Sequence, residues 1–291
     1  MTPTLVHHQH PTRLPGADSA ARVRDWAEIQ ERMLVPLYEA VYERMETGPG
    51  SRVLGLGCGT GLALLLAADR GAGVHGADTD TARLELAGQR LLGPAGAGQD
   101  GPTGAGQDGP ADDSQDGPGS PDREARLTYG TALEAVAAGA RPTLVTAFGT
   151  LPGQEELVRL REKLGRGVAV VLAGWGPMER CAVAPALRVA ARLAEPAEAG
   201  PDWCGRDDLE ELAAGGGLRL EGSGRVACPF GYADMAAAVR GLLSTGLYDS
   251  AVRATDEEQV LKELVEALHP HLRADGTVWM PNLFRYVVAR T

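Results

Sequence analysis

The segment SRVLGLGCGTGLALLLAAD, residues 51–69, constrains the fold more than any other. An apolar run of strand length, SRVLGL, ends in glycines at 55, 57, 59 and 61, and LALLLAAD follows with the composition of a buried helix. Glycines at alternate positions permit left-handed turns and a close approach of a ligand to the main chain. A strand, a tight turn and a helix in succession form the opening unit of a parallel sheet. The spacing is not that of a dinucleotide fingerprint, which needs G-x-G-x-x-G. Leu62 and Thr60 occupy the positions where the third glycine would fall in either register. No Gly-Lys-Ser/Thr follows, so the turn is not a P-loop either.

The alternation continues. GVHGAD reads as a second strand and TARLELAGQRLL as a helix started by Thr79, Asp80 and Thr81. ARLTYG, TLVTAF, GVAVVLAGW, LRLEGSGRVACPF and LFRYVVAR read as further strands, with helices between them that include 178–193, 206–214, 233–243 and 256–268. Strands alternating with helices predict an α/β chain with a doubly wound, seven-stranded and mostly parallel sheet. Its ligand would lie beyond the carboxyl ends of the strands. Before this unit, Arg22 to Met45 has helical spacing, with Trp26, Ile29, Met33, Leu34, Leu37, Tyr38, Val41 and Tyr42 on one face and Pro36 expected to bend or break it.

Two segments cannot build a core. Residues 1–20 read as a disordered tail, whose HHQH cluster is a weak metal candidate. Residues 93–122 repeat GAGQDGP twice and then SQDGP, a composition too polar and glycine-rich to fold, so they read as a disordered insertion. The insertion is either a solvated spacer or a partner-binding loop. The expected organisation is a tail at 1–20, N-terminal helices at 21–46 and one domain over 47–291, interrupted at 93–122.

Bulk properties exclude several classes. The net charge of −11 and pI near 5.1 leave no field to attract a phosphate backbone, so nucleic acid is not an expected partner. No apolar run reaches the roughly 18 residues of a membrane span, and the N-terminus has no apolar signal core. Cys58, Cys181, Cys204 and Cys228 show no paired spacing, which fits a cytoplasmic protein without a zinc site or disulfide framework.

VLGLGCGTG, with the helix after it, GVHGAD, PTLVTAFGTL and GRGVAVVLAGWG, resembles the class I methyltransferases that use S-adenosylmethionine. The likeness runs from about Arg22 to the C-terminus, less the insertion, and is greatest to bacterial enzymes acting on small molecules. It implies a helical lid at the N-terminus and a role in secondary metabolism. It also implies that Gly57, Cys58, Gly59 and Gly61 pass under the methionine part and ribose of S-adenosylmethionine. Asp78 would take both ribose hydroxyls, as a two-oxygen acceptor can. Thr79 and Asp80 would lie near the adenine, and Thr131 and Ala132 at its edge. Phe148, Gly149 and Thr150 would border the sulfonium. Two positions depart from the family pattern: Gly55 stands where an acid usually precedes the glycines, and Thr131 where an Asp usually meets the adenine amine. A hydrogen bond to a charged group contributes about 1.5–3 kcal/mol, so each departure weakens the expected site.

For the substrate, the resemblance implies that the lid brings Trp26, Tyr38 and Tyr42 over the pocket, where helix packing is the competing role. Trp175 and Met178 follow the fifth strand at its carboxyl end. Glu179 beside them is a catalytic candidate, as a base or an amine holder, unless it is only a solvated acid at a helix start. Arg285 either meets an anionic group or forms a salt bridge. No metal site is expected. Three functions remain open: methyl transfer to a small acceptor, non-methylating chemistry such as an intramolecular ring closure with the cofactor absent or structural, and a non-catalytic subunit of a homodimer or protein complex.

Overall fold

The computed structural model describes residues 19–93, 125–194 and 208–291. The expected tail, apart from its last two residues, and the expected insertion, apart from Gly93, lie outside these. The first described elements are α1 (Ser19–Asp25), a π-helical turn (Trp26–Gln30), a 3-10 turn (Glu31–Leu34) and α2 (Val35–Arg44). Then follow β1 (Arg52–Leu56), α3 (Leu62–Asp69), β2 (Gly73–Asp78), α4 (Thr81–Leu92) and β3 (Ala125–Tyr129). α5 (Ala132–Ala137), β4 (Leu144–Ala147), α6 (Gln154–Lys163) and β5 (Ala169–Trp175) complete the parallel part. α7 (Ala184–Leu193), α8 (Asp208–Gly215) and β6 (Arg219–Ala227) lead to a small layer of β7 (Phe230–Tyr232), α9 (Met235–Leu243), α10 (Asp249–Ala254), α11 (Glu257–Leu268) and β8 (Val278–Met280). β9 (Leu283–Arg290) closes the chain.

The seven-stranded sheet has the order β3-β2-β1-β4-β5-β9-β6. β1 to β5 are parallel, and β9 runs antiparallel to both β5 and β6. The central parallel strands β1, β4 and β5 are buried on both faces, as helices on each side require, while the edge strand β3 is partly exposed. Val53, Val74, Leu144, Val171 and Phe284 face α2, α3 and α7. Leu54, Val145, Val170, Leu172 and Val287 alternate with them and face α5, α6 and α8. The doubly wound sheet follows from this period of two in the strands.

One expectation at the N-terminus needs revision. Pro36 does not break the helix. It sits in the first turn of α2, where its missing N–H has no intrahelical partner to lose. The irregular stretch lies earlier, at 26–34. The small sheet of β7 and β8 and the helix α10 were not legible in the sequence. They form a layer that grips the N-terminal segment: Tyr232 donates its hydroxyl to Gln30 Oε1 at 2.8 Å, Arg22 pairs with Asp249 at 3.0 Å, and Ile29 and Gln30 lie against Gly241. Among the described residues no helix is long and apolar enough to cross a membrane.

Candidate functional site

The carboxyl ends of β1, β2 and β4 meet at the glycine turn. Gly57, Gly59 and Gly61 have φ of 56°, 57° and 81°, so the turn needs the left-handed region that glycine alone enters without cost. Asp78, the last residue of β2, holds this turn from the side. Its Oδ2 accepts from the N–H of Gly59 at 2.8 Å and its Oδ1 from the N–H of Asp80 at 2.9 Å. Asp80 in turn caps α4 through the N–H of Arg83. A carboxylate offers about four lone-pair sites, so Asp78 can still accept from a ligand. Thr79 beside it is exposed.

Position 55 is crowded by Leu64 and Cys58. A side chain there would start 3.2 Å from Leu64 and 3.4 Å from the β-carbon of Cys58. An acid comes instead from the N-terminal segment. Glu31 is 3% exposed, and its Oε2 accepts from Thr60 Oγ1 at 2.5 Å and from Arg90 at 2.7 Å. Arg90 also donates to the Thr60 carbonyl, which ties α4 and the turn to the same carboxylate. Sequence inspection missed Glu31 because it lies in a helical run of charged and apolar residues with no motif around it. Trp26, one turn earlier, sits over the turn with its indole N–H buried and unpartnered, and Arg83 covers its ring at 5.5 Å.

Cys58 lies between these acids. Burial, with the charges of Asp78 and Glu31, pushes its thiol up to about 12. It stays protonated at neutral pH and cannot serve as a thiolate nucleophile.

Of the two roles open to Tyr38, Tyr42 and Arg285, the structure displays packing and ion pairing. Tyr38 and Tyr42 are core residues of α2, 4% and 0% exposed, stacked around Phe148 at 4.8 and 5.9 Å between ring centres. Burial raises both phenols well above their ordinary value. The Tyr42 hydroxyl lies beside Thr146 without a hydrogen bond of good geometry. Their packing carries the N-terminal helix. Arg285 is also a structural residue. Its guanidinium is buried on the α8 side of the sheet, paired with Asp208 and, at 2.6 Å, with Glu210, so two carboxylates already neutralise it.

Thr131 caps α5. Its hydroxyl and N–H engage Glu134, and the Glu134 N–H donates back to it. Ala132 is buried and can offer a ligand only its backbone. An open cleft of about 530 Å³ begins at Thr131 and runs along the start of α6, past Gly153 and Arg159. Thr150 lies directly on Gly57, where a β-carbon would come within 2.8 Å of it. Trp175 stacks on Phe284 at 4.4 Å and faces Phe230, and Met178 packs against the same core. Glu179 is exposed on the turn after β5. Among the described residues no three His, Cys, Asp or Glu side chains gather as a metal site.

S-adenosylmethionine fits this set of polar groups: Asp78 keeps acceptor capacity for its ribose, and the N–H of Trp26 lacks a partner. Position 131 fits it less well, since the Thr131 hydroxyl already caps a helix.

No protein-family model and no curated protein matches this chain. Solved structures do. The YcgJ protein of Bacillus subtilis is 13% identical over 87% of this chain and 97% of its own, with a TM-score of 0.51, which shows a common fold. A SAM-dependent methyltransferase of Thiobacillus denitrificans, solved with S-adenosyl-L-homocysteine, is 16% identical over 93% of this chain and 98% of its own at a TM-score of 0.46. The [4+2]-cyclase SpnF is 12% identical over 88% of this chain and 79% of its own at 0.48. The strand order and the antiparallel β9 make this a class I methyltransferase-like fold.

Proposed function

We propose that the protein is a small-molecule methyltransferase that binds S-adenosylmethionine at the turn of Gly57 to Gly61. One observation carries the reading: the Asp78 carboxylate stands at the end of β2 with its oxygens on the main chain of the glycine turn and of Asp80, so the acid and the turn form one preassembled unit. When bound, the cofactor would supply a methyl group already activated by its sulfonium. The residues around it then need only bind, orient and exclude water. Asp78 would hold the ribose hydroxyls, and the backbone of Gly59 would face the ligand. Phe148, fixed by Tyr38 and Tyr42, would wall the reacting end. Trp175 and Met178 would offer an apolar surface to the acceptor, and Glu179 would stand ready to take a proton where the acceptor must lose one.

A second reading has specific support. Thr150 rests against Gly57, Thr131 is engaged in a helix cap, and Leu64 fills the place of the usual acid. These features favour a site turned to non-methylating chemistry, such as an intramolecular ring closure guided by the shape of the pocket. Calorimetric titration with S-adenosylmethionine and S-adenosylhomocysteine separates the two. Micromolar binding, lost in Asp78→Ala protein that still melts cooperatively, supports methyl transfer. Absence of heat at millimolar ligand rejects it in favour of the second reading.

A further inference from the structure

Over Gly59 the N-terminal segment presents two groups side by side. The Trp26 indole nitrogen lies 3.8 Å, and Glu31 Oε1 3.9 Å, from where a β-carbon of Gly59 would stand. The first is a buried donor with no partner. The second belongs to a buried carboxylate whose other oxygen is fixed by Thr60 and Arg90. A buried N–H left unpaired costs free energy, so native structures rarely keep one without a ligand or water to satisfy it. Gly59 itself has φ of 57°, and only glycine leaves this face of the turn bare at that conformation.

We propose that Trp26 and Glu31 together hold the zwitterionic α-amino acid end of a ligand above Gly59, the indole N–H donating to its carboxylate and Glu31 Oε1 accepting from its ammonium. The acid lost at position 55 is thereby replaced from the N-terminal segment. Both groups stand within 3.9 Å of one point over Gly59, so they converge on the same place. Arg90 and Thr60 hold Glu31 there, because they bind the oxygen that does not face Gly59. This couples the N-terminal segment to the cofactor turn through one side chain. The inference rests on the methyl-transfer reading for the identity of the ligand, not for the chemistry of the end that is held.

The test compares two probes with the same adenosine part, S-adenosylhomocysteine, which carries the zwitterion, and 5′-methylthioadenosine, which lacks it. In Glu31→Gln protein the dissociation constant for S-adenosylhomocysteine is expected to rise tenfold or more, as for a lost hydrogen bond to a charged group, while that for methylthioadenosine changes less than twofold. The Trp26 indole N–H resonance of 15N-tryptophan-labelled protein, assigned with Trp26→Phe, should shift with S-adenosylhomocysteine and hardly with methylthioadenosine. Equal weakening of both probes would mean that Glu31 only supports the fold, and would overturn the proposal. No weakening of either would overturn it too. If the wild type binds neither probe, the methyl-transfer reading falls, and free L-methionine then judges the amino-acid site. A shift of the Trp26 resonance that Glu31→Gln abolishes sustains it, and no shift removes it.

Discussion

Replacing Arg285 by Met tests whether that residue is structural. Its side chain is 8% exposed, against 13% for Asp208 and 31% for Glu210. Removing one partner of a buried ion pair costs about 3–5 kcal/mol, because the other charge is left without compensation. Glu210 is partly solvated and Asp208 still accepts from the N–H of Leu209 at 2.9 Å, so the lower end, about 3 kcal/mol, applies. For a chain of this size that is a fall in Tm of about 6–12 °C. Adding Asp208→Asn to the Met variant should recover part of the loss, where the same change in wild type destabilises. Thermal unfolding without ligand measures all of this. A Tm within about 2 °C of wild type, with weaker binding of an anionic substrate, would show instead that Arg285 faces a ligand.

Asp78→Asn should destabilise the ligand-free protein by about 1–3 kcal/mol, since an amide has one acceptor oxygen where the carboxylate serves Gly59 and Asp80, and an unchanged melting curve would refute its role in holding the turn. Gly57→Ala combines a left-handed φ of 56° with a 2.8 Å approach to Thr150, so adding Thr150→Gly should relieve the steric part and leave the conformational cost of about 1–2 kcal/mol; equal stability of the single and double variants would contradict this. Gly76→Ala would place a methyl within 2.8 Å of Cys58, Leu64 and Leu127, and should cost about 1–3 kcal/mol by overpacking, read from denaturant midpoints. Alkylation of Cys58 at pH 8 should be roughly three orders of magnitude slower than that of a free thiol, and rapid labelling mapped to this residue by mass spectrometry would disprove its burial as the neutral form.

The central strands β1, β4, β5 and β9 were legible because each is an apolar run, and burial on both faces leaves no polar face to blur the pattern. Asp78 was legible for a related reason, as an acid that ends a strand. The pair of β7 and β8 was not. Three-residue strands carry too few residues for a period, and Phe230 reads as the end of β6 until the chain is seen to turn at Cys228. Glu31 was missed, and Arg285 left between a ligand and a salt bridge, for one reason: a charged residue in a helix or strand looks solvated until its partner is known, and Arg90 and Asp208 lie 59 and 77 residues away.

The sequence by itself determined the strand and helix periods, and with them the parallel sheet, the glycine turn at its carboxyl edge and the acid beside that turn. These are local or nearly local properties, set by side-chain spacing and by the few residues that tolerate positive φ. The tertiary structure alone decided which charges are buried, what fills the space at position 55 and which acid reaches the turn in its place. Those outcomes depend on contacts between segments far apart in the chain, where the cost of burying a charge is met only by the partner that packing brings to it.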